Sequence, residues 1–358
     1  MKYLVIDMRA IKSNLQEVKQ KAGDAAIYAD LSGDAHGMGL LETAKLLRDE
    51  GVRAFAVSDP KDAALLRTNG FHEERIMMLR STADSYELQE LIDLDVICTV
   101  GSYDAAVALN GIAEERRTIC EVQIKVDTGL GRYGFMPAET DRIAAIYKYM
   151  SNLAVVGLFT TFSASWKSKK LTLAQLSSFE GVLEKLVEMG YEVGVTHACD
   201  SAALFHYNFG RMDAVRVGRA LSGRVPGRNI QVLHKVGYIE AGIEEVGWFP
   251  KGHQLDSRIV LKKPTRLAVV SVGYYHGFGV NRYEDKQTFF DMLRNKKRGL
   301  SVKVNGQRAR VVSDIGMEHT IIDVTKIDCT VGDKVIMDVD PINVKGVPRI
   351  YKKEKNEN

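Results

Sequence analysis

The chain has 358 residues, 45% hydrophobic and 27% charged, enough for a sizeable core beneath a solvated surface. Its net charge of +3 gives no basis for binding nucleic acid or an acidic membrane face. Cys98, Cys120, Cys199 and Cys329 are scattered without CxxC spacing, which argues against a zinc site or disulfide framework and suits a reducing cytoplasm.

The opening MKYLVIDMRAIKSNL lacks the long apolar run of a signal peptide. No later stretch approaches the roughly 18–20 apolar residues that span a bilayer. Short apolar runs then recur: AIYAD (26–30), AFAVS (54–58), IMML (76–79), VICTV (96–100), VQIKVD (122–127), VVGLFTTF (155–162), VGVTHA (193–198) and AVRVG (214–218). Helical patterns lie between them. LLETAKLLRDEG closes on Gly51. In LAQLSSFEGVLEKLVEMG, the spacing puts Leu176, Phe179, Leu183, Leu186 and Val187 on one face, with Gly190 as the stop. Met77 and Met78 read as core, and EERR (114–117) as a solvated face. Strands alternating with helices also admit a doubly wound sheet, but eight units favour closure into a (β/α)8 TIM barrel.

After about residue 235 the period changes. TRLAVVSVGYY, LSVKVNGQRARVV, TIIDVT and DKVIMDV read as strands, and Asn305-Gly306 is a hairpin signal. The expected organisation is an α/β barrel over 1–235 followed by an all-β domain over 236–358. The tail YKKEKNEN reads as charged and frayed.

The fifth run is the most informative. In EVQIKVD, Val122, Ile124 and Val126 alternate with Glu121, Gln123, Lys125 and Asp127. With the apolar set against the helices, the lumen beside this strand is polar, and its lysine must be paired. That describes either an internal ion-pair plug or the wall of a site. Barrels often hold phosphate on the loops after strands seven and eight. Here those loops are HACDSAA, with Ser201 at a helix start, and RVGRALSG, where Gly218 lets a ligand approach the backbone.

IKVDTGLGRYGF (124–135), THACDSAALF, DAVRVGRALSG, SVGYYHGFG and VPRIY, in this order, resemble the alanine racemase family over nearly the whole chain. The resemblance implies a pyridoxal phosphate (PLP) enzyme acting on amino acids. It also implies a homodimer in which one subunit's barrel works with the other's β domain. Tyr274 matches the catalytic tyrosine, and Arg132 the arginine that steadies it and the substrate carboxylate. Arg216 matches the arginine facing the pyridine nitrogen, and His197 the histidine behind it. Ser201, Gly218 and Arg219 match the phosphate contacts. Met317 matches a backbone contact to substrate, and Lys125 a lysine that is often carbamylated.

The departures are specific. The family's first-strand motif resembles K-A-N-A-Y-G-H-G-L, whereas this chain reads SGDAHGMGL from Ser32 to Leu40. The PLP-linked lysine falls on Ser32 and a phosphate-binding tyrosine on His36. Thr161 stands for the histidine of THF, and GYADG reads Gly273-Tyr274-Tyr275-His276-Gly277. Lys345 takes the place of a phosphate-binding tyrosine before VPR. No lysine lies between Lys21 and Lys45, so a small shift of register recovers none. Serine can neither form an imine nor serve as a base of lysine's strength. The expectation is a divergent homologue or pseudoenzyme that has lost lysine-dependent racemisation. It would keep a pocket for PLP held without a covalent bond, or for another phosphorylated ligand, or hold no cofactor. The alternative is an active racemase with a substitute base, His36 or Lys125. Two minor readings use the same loop. Ser32, Asp34 and His36 have hydrolase chemistry but sit too close in sequence for a triad. Asp30, Asp34, His36, His197 and Asp200 would cluster as metal ligands at a barrel mouth.

Overall fold

The computed structural model describes residues 1–227, 230–255, 259–280 and 300–353. Residues 354–358 of the charged tail lie outside the described residues. The chain forms two compact units, Lys12–His234 and, separately, Met1–Ile11 with Lys235–Asn358. Met1–Ile11, expected in the barrel domain, thus groups with the β unit. This is because β1 (Lys2–Asp7) pairs there with β10 (Tyr238–Phe249), antiparallel, and with β16 (Arg349–Lys352), parallel.

The other unit is a closed barrel of eight strands, each parallel to its neighbours. They are β2 (Ala26–Asp30), β3 (Ala54–Val57), β4 (Arg75–Ser81), β5 (Ile97–Val100), β6 (Cys120–Lys125), β7 (Leu153–Phe159), β8 (Val195–Asp200) and β9 (Ala214–Val217). Every run expected from the sequence forms a strand; AIYAD keeps both ends and the others shift. The β2–β9 pair closes the ring and sets Ala29 beside Val217. Helices follow the strands, and their starts are written locally. Asp59, Asp84, Ser102, Ser168 and Asp200 each accept a backbone N–H from the first turn of the following helix.

Tyr28, Met77, Ile97, Phe159 and Ala214 meet in one buried cluster, contributed by alternate positions of five strands. Gln123 and Lys125 are buried beside them, as the alternation on β6 requires. Glu121 is exposed and pairs instead with Arg75. Asp127 lies beyond the strand and caps a loop. In the helix Lys169–Glu188, Leu176, Phe179 and Leu186 are buried, but Val187 is 56% exposed and Val182 takes its place. The buried stripe therefore widens towards position 182 rather than 187.

In the β unit, β10 turns a sheet edge into a ring. Its first half pairs with β15 (Lys334–Asp338) and, past a register shift between Ile243 and Glu245, its second half pairs with β11 (Thr265–Val270). β12 (Ser301–Val304), β13 (Gln307–Val311) and β14 (Thr320–Asp323) complete the circuit. The β12–β13 hairpin turns on Asn305 and Gly306, both at positive φ.

Candidate functional site

The C-terminal ends of β2, β6, β7, β8 and β9 carry most of the residues singled out by sequence, at the end of a barrel where such sites are built. Arg216, buried on β9, donates from Nη1 to His197 Nδ1 (2.8 Å) and from Nη2 to Thr161 Oγ1 (2.7 Å) and the Thr160 carbonyl (3.3 Å). A guanidinium only donates, so His197 Nδ1 must accept and its proton must sit on Nε2. Nε2 donates to Gln123 Oε1 (2.6 Å), and Gln123 Nε2 donates to Tyr28 Oη (3.2 Å). The relay Arg216–His197–Gln123–Tyr28 crosses the lumen with one consistent direction of donation. His197 is stacked between Phe159 and Tyr28, at ring separations of 5.0 and 5.2 Å. Burial, reinforced by the Arg216 charge, pushes its pKa well below the usual histidine value and holds it neutral. Arg216 also lies 5.1 Å over the Phe159 ring. Burial lowers its pKa, against the pull of Asp30, Asp200 and Cys199.

Lys125 ends β6. Its Nζ donates to the Arg132 carbonyl (2.8 Å), and burial together with the charges of Arg216 and Arg132 lowers its pKa to about 8. The loop beyond is held by Asp127, whose carboxylate accepts the N–H groups of Gly129, Leu130 and Gly131. Arg132 itself projects exposed from that loop.

After β8 and β9, Ser201 Oγ accepts from the N–H groups of Gly218 (3.2 Å) and Ala220 (3.0 Å). Asp200 caps the same helix start, accepting from Ala203 N–H and Ser165 Oγ. Ser201 and Gly218 are thus brought together, and the Ala220 amide, which the sequence reading missed, joins them. A side chain at Gly218 would force its neighbours to shift. A Cβ there would lie 2.0 Å from His36 Nε2 and 2.8 Å from the Asp30 carbonyl oxygen. The His36 imidazole therefore lies directly over the bare face of Gly218.

His36 reaches that position through an unusual loop. Gly33, Asp34, Ala35, His36 and Gly37 all have left-handed backbone, with φ of 64, 59, 54, 55 and 79°. For the three residues with side chains, this conformation costs about 1–2 kcal/mol each. Bonds from Ala35 N–H to the Leu31 carbonyl, Gly37 N–H to Gly33 and Gly39 N–H to Asp34 hold the turn. Asp34 Oδ1 accepts Leu40 N–H at 2.7 Å, and Asp30 Oδ1 accepts Ser32 N–H at 3.0 Å. Ser32 Oγ is buried and makes no hydrogen bond. No triad forms, because Ser32 Oγ is engaged by neither Asp34 nor His36. Among the described residues no three His, Cys, Asp or Glu side chains converge as a metal site.

The remaining site residues belong to the β unit. Tyr274, 53% exposed, begins a short 3-10 turn, Tyr274–His276. Its N–H donates to the Gly316 carbonyl and that of Tyr275 to the Met317 carbonyl, both at 3.0 Å, which brings Tyr274 and Met317 side by side. Gly273 N–H donates to His276 Nδ1 (3.1 Å), and Lys2 Nζ lies 2.8 Å from its Nε2. Lys345 is exposed on a separate loop, next to Gly346, where a Cβ would fall 2.9 Å from the Tyr275 ring.

PLP needs an anion cup for its phosphate and an amine for its aldehyde. The amides of Gly218 and Ala220 are donors of the right kind, but both donate to Ser201 Oγ, and His36 covers Gly218. At the end of β2, Ser32 offers a hydroxyl, which cannot form an imine. The residues present do not fit a PLP covalently held on this strand.

Residues 6–226 match the family described as "Alanine racemase, N-terminal domain", and residues 239–348 match "Alanine racemase, C-terminal domain". The alanine racemase of Halothermothrix orenii is 30% identical over 341 residues, covering 93% of this chain and 86% of that protein. That of Methanococcus maripaludis is 29% identical over 344 residues, covering 92% and 87%. Among solved structures, alanine racemase of Clostridium difficile 630 superposes with a TM-score of 0.79 at 25% identity, covering 97% of this chain and 88% of that one. The enzyme of Streptomyces lavendulae superposes with 0.85 at 23% identity, covering 99% and 97%, which shows the shared fold. Among the described residues, no helix is long and apolar enough to cross a membrane. By these matches over both units, the chain belongs to the alanine racemase family.

Proposed function

We propose that this family member has lost PLP-lysine-dependent amino-acid racemisation and uses its barrel mouth as a pocket for a small phosphorylated or otherwise anionic ligand held without a covalent bond. One observation carries the reading: β2 delivers Ser32, not an amine, and the sequence offers no lysine between Lys21 and Lys45. Racemisation needs a proton removed from one face of the α-carbon and returned to the other. Without a lysine on the first strand, Tyr274 can serve only one face. In this reading Ser201, Gly218 and Arg216 draw the anion, while Arg132 is a remnant of carboxylate recognition. The protein acts in the cytoplasm as a homodimer.

The test is addition of PLP to the purified protein, followed by borohydride reduction, peptide mapping and a racemisation assay with L- and D-alanine. Unchanged alanine and no stoichiometric lysine adduct are expected. A single fixed lysine with alanine turnover would refute the proposal. A second reading, an active alanine or other amino-acid racemase with a substitute base, is favoured by the relatives, which are named alanine racemases. Lys125, with its lowered pKa, and His36 are its candidate bases. A panel of amino acids assayed with and without PLP separates the two, and a flat panel removes the second.

A further inference from the structure

The loop after β2 and the cup after β9 are far apart in sequence but adjacent in the ring, because β2 pairs with β9. We infer that His36 is a built-in occupant of the cup at Gly218, so that a phosphate group enters only when the imidazole is displaced. The inference rests on the proposed non-covalent pocket and names the residue that controls access to it.

Three observations carry it. A methyl carbon placed on Gly218 would fall 2.0 Å from His36 Nε2, so no atom fits between ring and backbone, let alone a phosphate oxygen. The Asp30 carbonyl oxygen, 2.8 Å from the same point, closes the other side. It also presents an acceptor where an anion would need a donor. The two amides that face Ser201 are already used, both donating to its hydroxyl. A ligand must therefore break bonds within the cup as well as move the ring.

The approach is fixed by the backbone. His36 sits at φ 55° within a run of five left-handed residues pinned by the bonds of Leu31, Gly33 and Asp34. Displacement by side-chain rotation alone leaves that turn intact. Displacement of the turn would break it at several points. Replacing His36 with glycine removes the occupant and suits the left-handed backbone better than any other residue.

The experiment uses the full chain as wild type and as His36→Gly, with His36→Ser as a second variant should the first not fold. PLP binding is followed by equilibrium dialysis, and inorganic phosphate is added as competitor. The expected result is at least tenfold tighter PLP binding in the variant, with phosphate competing. Equal or weaker binding in the variant overturns the inference and leaves the pocket standing, with His36 a ligand instead of an occupant. No saturable binding by either protein overturns both this inference and the pocket itself.

Discussion

Replacing Lys125 with methionine keeps most of the buried stem and removes the charge. The lysine is 5% exposed, and its pKa falls from 10.5 to about 8 through burial and the charges of Arg216 and Arg132. In the unfolded chain the amine titrates near its ordinary value. Between the two values the unfolded state binds more protons, so stability rises with pH. The cost of the buried ammonium is fully present below pH 8 and is gone above 10.5. At 1.36 kcal/mol per unit, that cost is about 3 kcal/mol at pH 7. The variant also loses the bond to the Arg132 carbonyl, about 1 kcal/mol. Lys125→Met is therefore expected to be stabler than wild type by about 2 kcal/mol at pH 7, or roughly 4–8 °C in Tm. By pH 9.5 the folded amine is largely neutral in wild type, and the advantage shrinks by about 2 kcal/mol. Thermal melts of both proteins at pH 7.0 and 9.5, in CO2-free buffer to keep the amine unmodified, read the difference. A variant that melts below wild type at pH 7, or an advantage that stays constant with pH, would refute the reasoning.

Gly218→Ala forces a carbon against His36 Nε2 and should destabilise by about 1–3 kcal/mol in urea titrations. Adding His36→Gly should restore part of that loss, because the Asp30 carbonyl remains in the way. Arg216→Met leaves His197 Nδ1 and Thr161 Oγ1 without their donor, and an earlier denaturation midpoint by about 2–3 kcal/mol is expected. His276 has its pKa lowered by burial and by Lys2, with Glu318 opposing and His319 adding to the effect. The unfolded state therefore binds more protons near pH 6, and stability falls as pH drops through 6.5. His276→Gln should flatten that acid limb in melts between pH 5 and 7. Finally, Ser32→Lys combined with His36→Gly should gain a borohydride-fixed PLP at residue 32 by mass mapping, where wild type gains none.

The barrel was legible because parallel strands covered on both faces are short continuous apolar runs. β10 was not, since YIEAGIEEVGWF mixes Glu240, Glu244 and Glu245 with Gly242 and Gly247 along a strand that changes partners midway. β1 was missed for another reason: its partners lie at the far end of the chain, and no local period reports that. In the site, Lys125 and Gln123 could be read from alternation on one strand. The relay through His197 could not, because Gln123 and Tyr28 join it from other strands. The seat of His36 on Gly218 left no mark in local sequence. The hint available was topological: in a closed barrel the loops after the first and last strands are neighbours.

The pairing of β1 also bears on how the chain is made. β1 is translated before either of the segments it pairs with, β10 and β16, the latter the last strand among the described residues. At the usual 5–20 residues per second, Lys2–Asp7 waits on the order of tens of seconds for Arg349–Lys352 to emerge. Meanwhile the whole of Lys12–His234 is available to close its barrel from neighbouring strands. β1 is thus left open during synthesis, and the β unit can be completed only when strands more than 340 residues apart in the chain meet.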